Sequence, residues 1–238
     1  MRSGIRILRA VVSRRGFCLG ALAAACLLAA GANESGAQTR TRHGKLFAPQ
    51  DLGLLEGPDR DLWQLPEQIM DSLGIAEGSA VADIGAGGGW FTIRLARRVG
   101  ANGIVYAEDI QPQMLESTMR RVAREGLGNV RRVLGTAEDP RLPARSLDAV
   151  LIVDTYHELE NPGVLLRNIA GSLKPQGRVG VVDFKRDGLG PGPALEDRVD
   201  PDEVVRDAEA AGLRLVRRET FLPYQFLLVF SRPQPGVQ

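Results

Sequence analysis

Residues 80–95 read AVADIGAGGGWFTIRL, and the fold is decided there. A short apolar run, Ala80–Val81–Ala82, leads into Asp83 and Ile84. Gly85, Gly87, Gly88 and Gly89 follow, and then an amphipathic run from Trp90 to Val99. That order predicts a strand, a tight turn and a helix. Glycine is used where the chain needs positive φ or where a ligand must lie against bare backbone. The helix that follows offers unpaired N–H groups at its start. A buried strand feeding such a turn is how α/β sheets hold mononucleotide-like ligands.

The dinucleotide fingerprint G-x-G-x-x-G fails in this turn. Counted from Gly85, its third glycine falls on Trp90, where that helix has to pack closely on strand and cofactor. The pattern is instead D-x-G-x-G-x-G, formed by Asp83, Gly85, Gly87 and Gly89. It resembles the first motif of class I S-adenosylmethionine (SAM) dependent methyltransferases. The resemblance implies SAM as cofactor, held by Asp83, Gly85, Ala86, Gly87 and Gly89. A structural turn needs fewer glycines; the added acid two residues ahead favours a ligand site.

Downstream, Gly103–Ala107 reads as a second strand ending in Glu108–Asp109. A carboxylate there suits a ribose, because it accepts hydrogen bonds from both hydroxyls. The run DIQPQML, Asp109 to Leu115, resembles the family's ribose motif and implies Asp109 on the ribose and Ile110 beside adenine. Glu108 is the alternative ribose ligand, and capping the helix near Pro112 is the alternative role for Asp109. Val130–Leu134 is a short third strand. The stretch Gly135–Pro143 resembles the adenine loop G-D-A-x-x-L-P, with Thr136 in place of the usual Asp and Pro140 and Arg141 lengthening it. The adenine contact is therefore assigned loosely, to Thr136, Ala137 and Glu138, with Asp139 as an alternative.

Ser146 to Asp154 is near-continuously apolar up to its last residue, as in a parallel strand buried on both faces. It ends in Asp154–Thr155–Tyr156–His157–Glu158, at the strand end where α/β sheets place ligands. This segment resembles the fourth methyltransferase motif. It implies Asp154 as both a cofactor contact and a catalytic residue, with Tyr156 and His157 as further catalytic residues. An imidazole near neutral pKa suits deprotonation of an acceptor; packing or capping is the competing role for His157. The other histidine, His43, falls in a flap. The resemblance requires no metal and no covalent intermediate.

The remaining pattern completes an α/β chain. Helices are expected from an opening at Trp63–Gln64–Leu65–Pro66 to Gly74, from Met114 to Arg124, from Pro162 to Leu173 and from Pro201 to Ala211. The Lys174–Gly177 turn leads to a strand from Arg178 to Phe184, and Leu213–Thr220 and Gln225–Ser231 read as two closing strands. Strands alternating with helices argue one three-layer α/β domain, roughly residues 60–232. The resemblance implies a Rossmann-like sandwich whose seven-stranded, mostly parallel sheet has its last strand antiparallel. Residues 38–59 are polar and Gly/Pro-punctuated, and are expected to be a flap or linker rather than packed structure. Trp63 is either part of a lid or a packing anchor. Residues 233–238 are a disordered tail by composition.

Residues 1–37 read as a signal segment: five arginines, then the apolar run Leu19–Ala30, then Ser35–Gly36–Ala37. SRRGFCL, Ser13 to Leu19, resembles a twin-arginine signal, which implies export. A membrane anchor on the cytoplasmic face and a start codon set too far upstream are the alternatives. Both cysteines, Cys18 and Cys26, lie in this segment. A processed chain then lacks thiols, which excludes a disulfide framework, a cysteine nucleophile and thiolate metal ligands, and argues against the arsenic methyltransferases, which use cysteine chemistry. The overall charge is +1, with no basic stripe to suit nucleic acid. The closest resemblance in character is to small-molecule methyltransferases of ubiquinone and menaquinone biosynthesis, which implies a small-molecule acceptor. An exported SAM- or nucleoside-binding protein and a nicotinamide oxidoreductase are the competing functions.

Overall fold

The computed structural model describes residues 46–233, so the signal segment, His43 and the last five residues lie outside the described residues. A 3-10 helix at Pro49–Leu55 comes first, followed by α1 (Arg60–Gln64) and α2 (Pro66–Leu73). The alternating part is β1 (Ala80–Ile84), α3 (Trp90–Val99), β2 (Ile104–Asp109), α4 (Pro112–Arg124), β3 (Val130–Leu134) and β4 (Leu147–Val153). Then come α5 (Pro162–Ser172), β5 (Leu173–Phe184), α6 (Pro201–Ala210), β6 (Arg214–Glu219) and β7 (Gln225–Ser231).

The seven strands form one sheet in the order β3-β2-β1-β4-β5-β7-β6. β7 runs antiparallel to both its neighbours, and the other pairings are parallel. This is the three-layer α/β architecture that the alternation predicts, with the Rossmann-like sheet and antiparallel last strand that the resemblance implies. β4 shows how the layers form. Ala149, Leu151 and Val153 enter the core under α2 and α3, while Val150 and Ile152 enter the core under α5 and α6. The period of two sends successive side chains to opposite faces, and both faces are covered by helices.

α3 shows how a helix is docked on that sheet. Gly89 precedes it in the left-handed conformation, φ 80°, and Gly100 ends it at φ 63°. Arg97 and Arg98 sit in its last turn, where cations complement the helix dipole. Phe91, Leu95, Ala96 and Val99 are buried on the β1–β2 side of the sheet. Burying each of the large ones stabilises the fold by about 1.5–3 kcal/mol.

Three expectations are corrected. β5 begins at Leu173, not Arg178; it pairs with β4 at Leu147–Leu173 and resumes at Ala149–Arg178, so the Lys174–Gly177 segment is a bulge inside the strand. Helix α1 stands apart from α2 because Leu65 takes a left-handed conformation, φ 48°, between them. The third concerns residues 46–59, which pack on the domain. Phe47 donates its N–H to Glu158 Oε2 and accepts from Gln111 Nε2 at its carbonyl, and the Glu56 carboxylate pairs with Arg121. Among the described residues no helix is long and apolar enough to cross a membrane.

Candidate active site

β1 and β4 are neighbours, but the chain leaves β1 towards β2 on one side and reaches β4 only after β3. Their carboxyl ends therefore open a crevice at the switch point of the sheet. A cavity of about 830 Å³ lies there, towards the large end of the roughly 300–1,000 Å³ of small-molecule sites. Its floor is Asp83 to Gly88, its walls come from the ends of β2, β4 and β5, and residues 46–56 contribute Leu46, Phe47 and Leu52 to it.

The glycine turn is bound to the end of β2. Gly87 donates its N–H to Asp109 Oδ2, and Ala86 donates to the Glu108 carbonyl. Gly85 and Gly87 adopt φ of 68° and 55°. A Cβ on Gly85 would collide with Thr155, whereas a Cβ on Gly87 meets nothing closer than 3.9 Å and would project into the ligand space. Gly89 differs from the other glycines assigned to the site. It does not line the cavity, and its Cβ would press on Thr118, so it allows α3 and α4 to approach.

Carboxylates crowd this floor. Asp83 accepts from Thr92 Oγ1 at 2.6 Å and is buried. Burial pushes its pKa up to about 6. Glu108 is pushed further, to about 8, by burial and then by the charge of Asp109. Asp109 itself is raised by burial, against the hydrogen bonds from Gln111 and Gly87 that hold it ionised. Asp109 is thus the carboxylate that backbone donors aim into the cavity, while the neutral form is favoured at Glu108. Ile110, Thr136 and Ala137 also line this side. The Thr136 hydroxyl is engaged by the backbone of Asp139. Glu138 is a correction: its carboxylate accepts from Asn161 and its carbonyl from Asn168, away from the cavity. That side chain faces the start of α5.

The β4 side is organised by side chains. Asp154 lines the cavity at φ 54°, and its carboxylate accepts from Arg60 at 2.9 Å, from Gln64 at 3.2 Å and from Gln225. Burial raises its pKa to about 6, against the opposing charge of Arg60. A carboxylate with three donors ties α1, β4 and β7 together at the cavity wall. Tyr156 is a second correction: it is fully buried on the opposite side of the sheet, and its hydroxyl donates to Asp207 at 2.8 Å. The 3-10 turn at Tyr156–Glu158 sends Tyr156 into the core and leaves His157 and Glu158 on the cavity.

His157 lines the cavity between two carboxylates. Its Nδ1 lies 3.0 Å from Asp183 Oδ1 and its Nε2 3.8 Å from Glu158 Oε1. Burial pulls the imidazole pKa down, but the hydrogen bond to Asp183 and the charges of Asp183, Glu158 and Asp154 outweigh it, and the net shift is upward. Beyond His157 the wall is aromatic. Trp63 lies 6.1 Å from Phe184 and 6.2 Å from Tyr224, centroid to centroid, and all three line the cavity with Pro191, Pro193 and Pro223. Trp63 is therefore a wall residue. Asp183, Arg60, Gln64, Gln225, Phe184 and Tyr224 carry no motif; only the polar residue ending the buried run of β5 marked Asp183.

The floor fits a SAM molecule: bare glycine backbone facing the cavity, Asp109 beyond it, and room for a second ligand. A methyltransferase-domain family matches residues 81–177. The crystal structure of a SAM-dependent methyltransferase from Aquifex aeolicus superposes with a TM-score of 0.74 at 30% identity, covering 78% of this chain and 98% of that one. The chain is 32% identical over 126 residues to the ubiquinone/menaquinone biosynthesis C-methyltransferase of Idiomarina loihiensis, 52% of this chain and 49% of that protein. An uncharacterized methyltransferase of Mycobacterium bovis is 38% identical over 123 residues, 51% of this chain and 46% of that protein. The chain spans about half the length of the curated relatives it matches. On the sheet order, the glycine turn with Asp109, and a likeness running the whole length of the Aquifex protein, the chain belongs to the SAM-dependent methyltransferases.

Proposed function

We propose that this protein transfers a methyl group from SAM to a small-molecule acceptor. The observation that carries the reading is that one cavity joins the glycine turn and Asp109 on one side to His157 and an aromatic wall on the other. When bound, SAM supplies an electrophilic methyl group on a sulfonium. Gly85 to Gly88 and Asp109 bind and orient it. Asp83, Asp109, Asp154 and Glu158 surround the cavity with acidic groups that suit its positive charge. Phe47 and Leu52 exclude water from above, and Trp63, Phe184 and Tyr224 offer an apolar face to the acceptor. His157 receives the acceptor's proton. Aligning two reactants and shielding them from water are the main contributions such a site makes.

The test is titration of the purified protein with SAM, with its demethylated product and with NADH, followed by incubation with radiolabelled SAM and fractionated cell extract. Binding of the first two and label in a small molecule are expected. Binding of NADH alone overturns the proposal. Binding of SAM with no transfer to any fraction favours a nucleoside-binding protein instead. Export of the chain is a separate proposal, supported by the arginine pair and apolar run of residues 1–37; cell fractionation with N-terminal sequencing tests it.

A further inference from the structure

We propose that Asp183, at the end of β5, is the positioning residue that fixes His157 with its proton on Nδ1 and its Nε2 lone pair towards the cavity. The inference rests on the methyl-transfer reading for its purpose, but not for its test. Asp183 is fully buried. Its carboxylate accepts from the His157 N–H at 3.0 Å and from the Phe184 N–H at 2.8 Å, which fixes its plane. In that plane both oxygens stand 3.0–3.1 Å from His157 Nδ1. A carboxylate only accepts, so Nδ1 must donate and Nε2 is left as the basic atom.

The groups facing the imidazole come from three elements. Asp183 is on β5, Asp154 ends β4, and Glu158 follows in the same 3-10 turn; all three favour the protonated ring. Glu158 Oε1, at 3.8 Å, is beyond hydrogen-bond reach of Nε2, and its Oε2 is occupied by the Phe47 N–H. The step this permits is balanced. The acceptor's X–H proton moves to Nε2 as the X–CH3 bond forms. The S–CH3 bond breaks with its electron pair kept by sulfur, and an imidazolium is left against Asp183.

The chain has two histidines, His43 and His157, so histidine-selective 15N NMR reads this device directly. His157→Gln removes one set of signals and assigns the other. In the wild-type protein the neutral His157 ring is expected as the Nδ1–H tautomer, titrating above an ordinary imidazole. In Asp183→Asn its pKa is expected to fall by about one to three units, as when an adjacent opposite charge is lost, with SAM affinity unchanged. The Nε2–H tautomer in the wild type overturns the proposal, and so does a pKa that Asp183→Asn leaves in place. Should Asp183→Asn fail to fold, the wild-type tautomer decides alone. SAM titration of the same sample reports separately on the methyl-transfer reading, because neither tautomer nor pKa depends on turnover.

Discussion

On the β1–β2 side of the cavity the groups facing it are the backbone of one glycine turn and the carboxylates it packs among, tied together by the hydrogen bond from Gly87 to Asp109, 22 residues on. On the β4–β5 side they are side chains, and each is set by partners remote in sequence. His157 depends on Asp183, 26 residues away, and Asp154 on Gln64 and Gln225, 90 and 71 residues away. The first side resists substitution at most positions except its glycines and Asp109. The second can be retuned by changing a partner while the reacting residue stays the same. That division matches a cofactor common to a family and an acceptor peculiar to each member.

Variants on the two sides should therefore fail differently. The largest effect is expected from His157→Gln: methyl transfer from radiolabelled SAM falls by ~10²–10⁴-fold, as for loss of a general base, while SAM affinity measured by calorimetry stays at the wild-type value. Loss of SAM affinity in parallel would erase the distinction. Asp109→Ala should do the reverse and weaken SAM by about 1.5–3 kcal/mol, the worth of hydrogen bonds to a charged group. Unchanged calorimetric affinity in the folded variant would move the ribose contact to Glu108.

Glu108→Gln sharpens the same side. The folded Glu108 keeps its proton to about pH 8, whereas an unfolded glutamate loses it near 4.3. Its contribution is complete below the unfolded value and is lost as pH rises through about 8. Melting temperature should fall for the wild type between pH 5 and pH 8, and the variant should recover part of that loss, on the order of 5 °C at pH 8. Parallel melting curves for the two proteins would contradict the neutral carboxyl. Tyr156→Phe should have the smallest effect. It loses the hydrogen bond to Asp207 and about 0.5–1.5 kcal/mol in a denaturant titration, with methyl transfer unchanged. A fall in transfer comparable to that of His157→Gln would return Tyr156 to the site.

The same division governs what the sequence makes legible. The glycine turn, Asp109 and the strand–helix alternation are local patterns, so β1, α3, β2 and the sheet class follow from spacing alone. Within Asp154–Glu158 the residue types are visible but their directions are not. A single 3-10 turn sends Tyr156 to the core and His157 to the cavity, and no periodicity of two or 3.6 describes it. Gln64, Gln225 and Asp183 read as unremarkable polar residues until the sheet places them together. Residues 46–59 look like linker because Gly and Pro interrupt any period among their leucines, and their contacts to Gln111, Glu158 and Arg121 run through backbone groups and an ion pair.

The reversal of β7 has a consequence for how this side of the cavity is built. Because β7 runs against β5, Phe184 pairs with Gln225, and the chain reaches the cavity through the connection from β6 to β7. Residues 220–224 are a hairpin tip anchored by strand pairing at both ends, and they carry Pro223 and Tyr224 into the wall. Leu222 pins the middle of this tip in the core under α2 and α3, so the tip presents Pro223 and Tyr224 from a fixed backbone. Exchanging Tyr224 or Pro223 is expected to reshape the aromatic wall and to leave β1 and β2, on the far side of β4 and β5, unmoved. The antiparallel strand thus brings a strand start, and not a helix start, to this side of the cavity, so the wall there is set by two side chains rather than by a backbone turn.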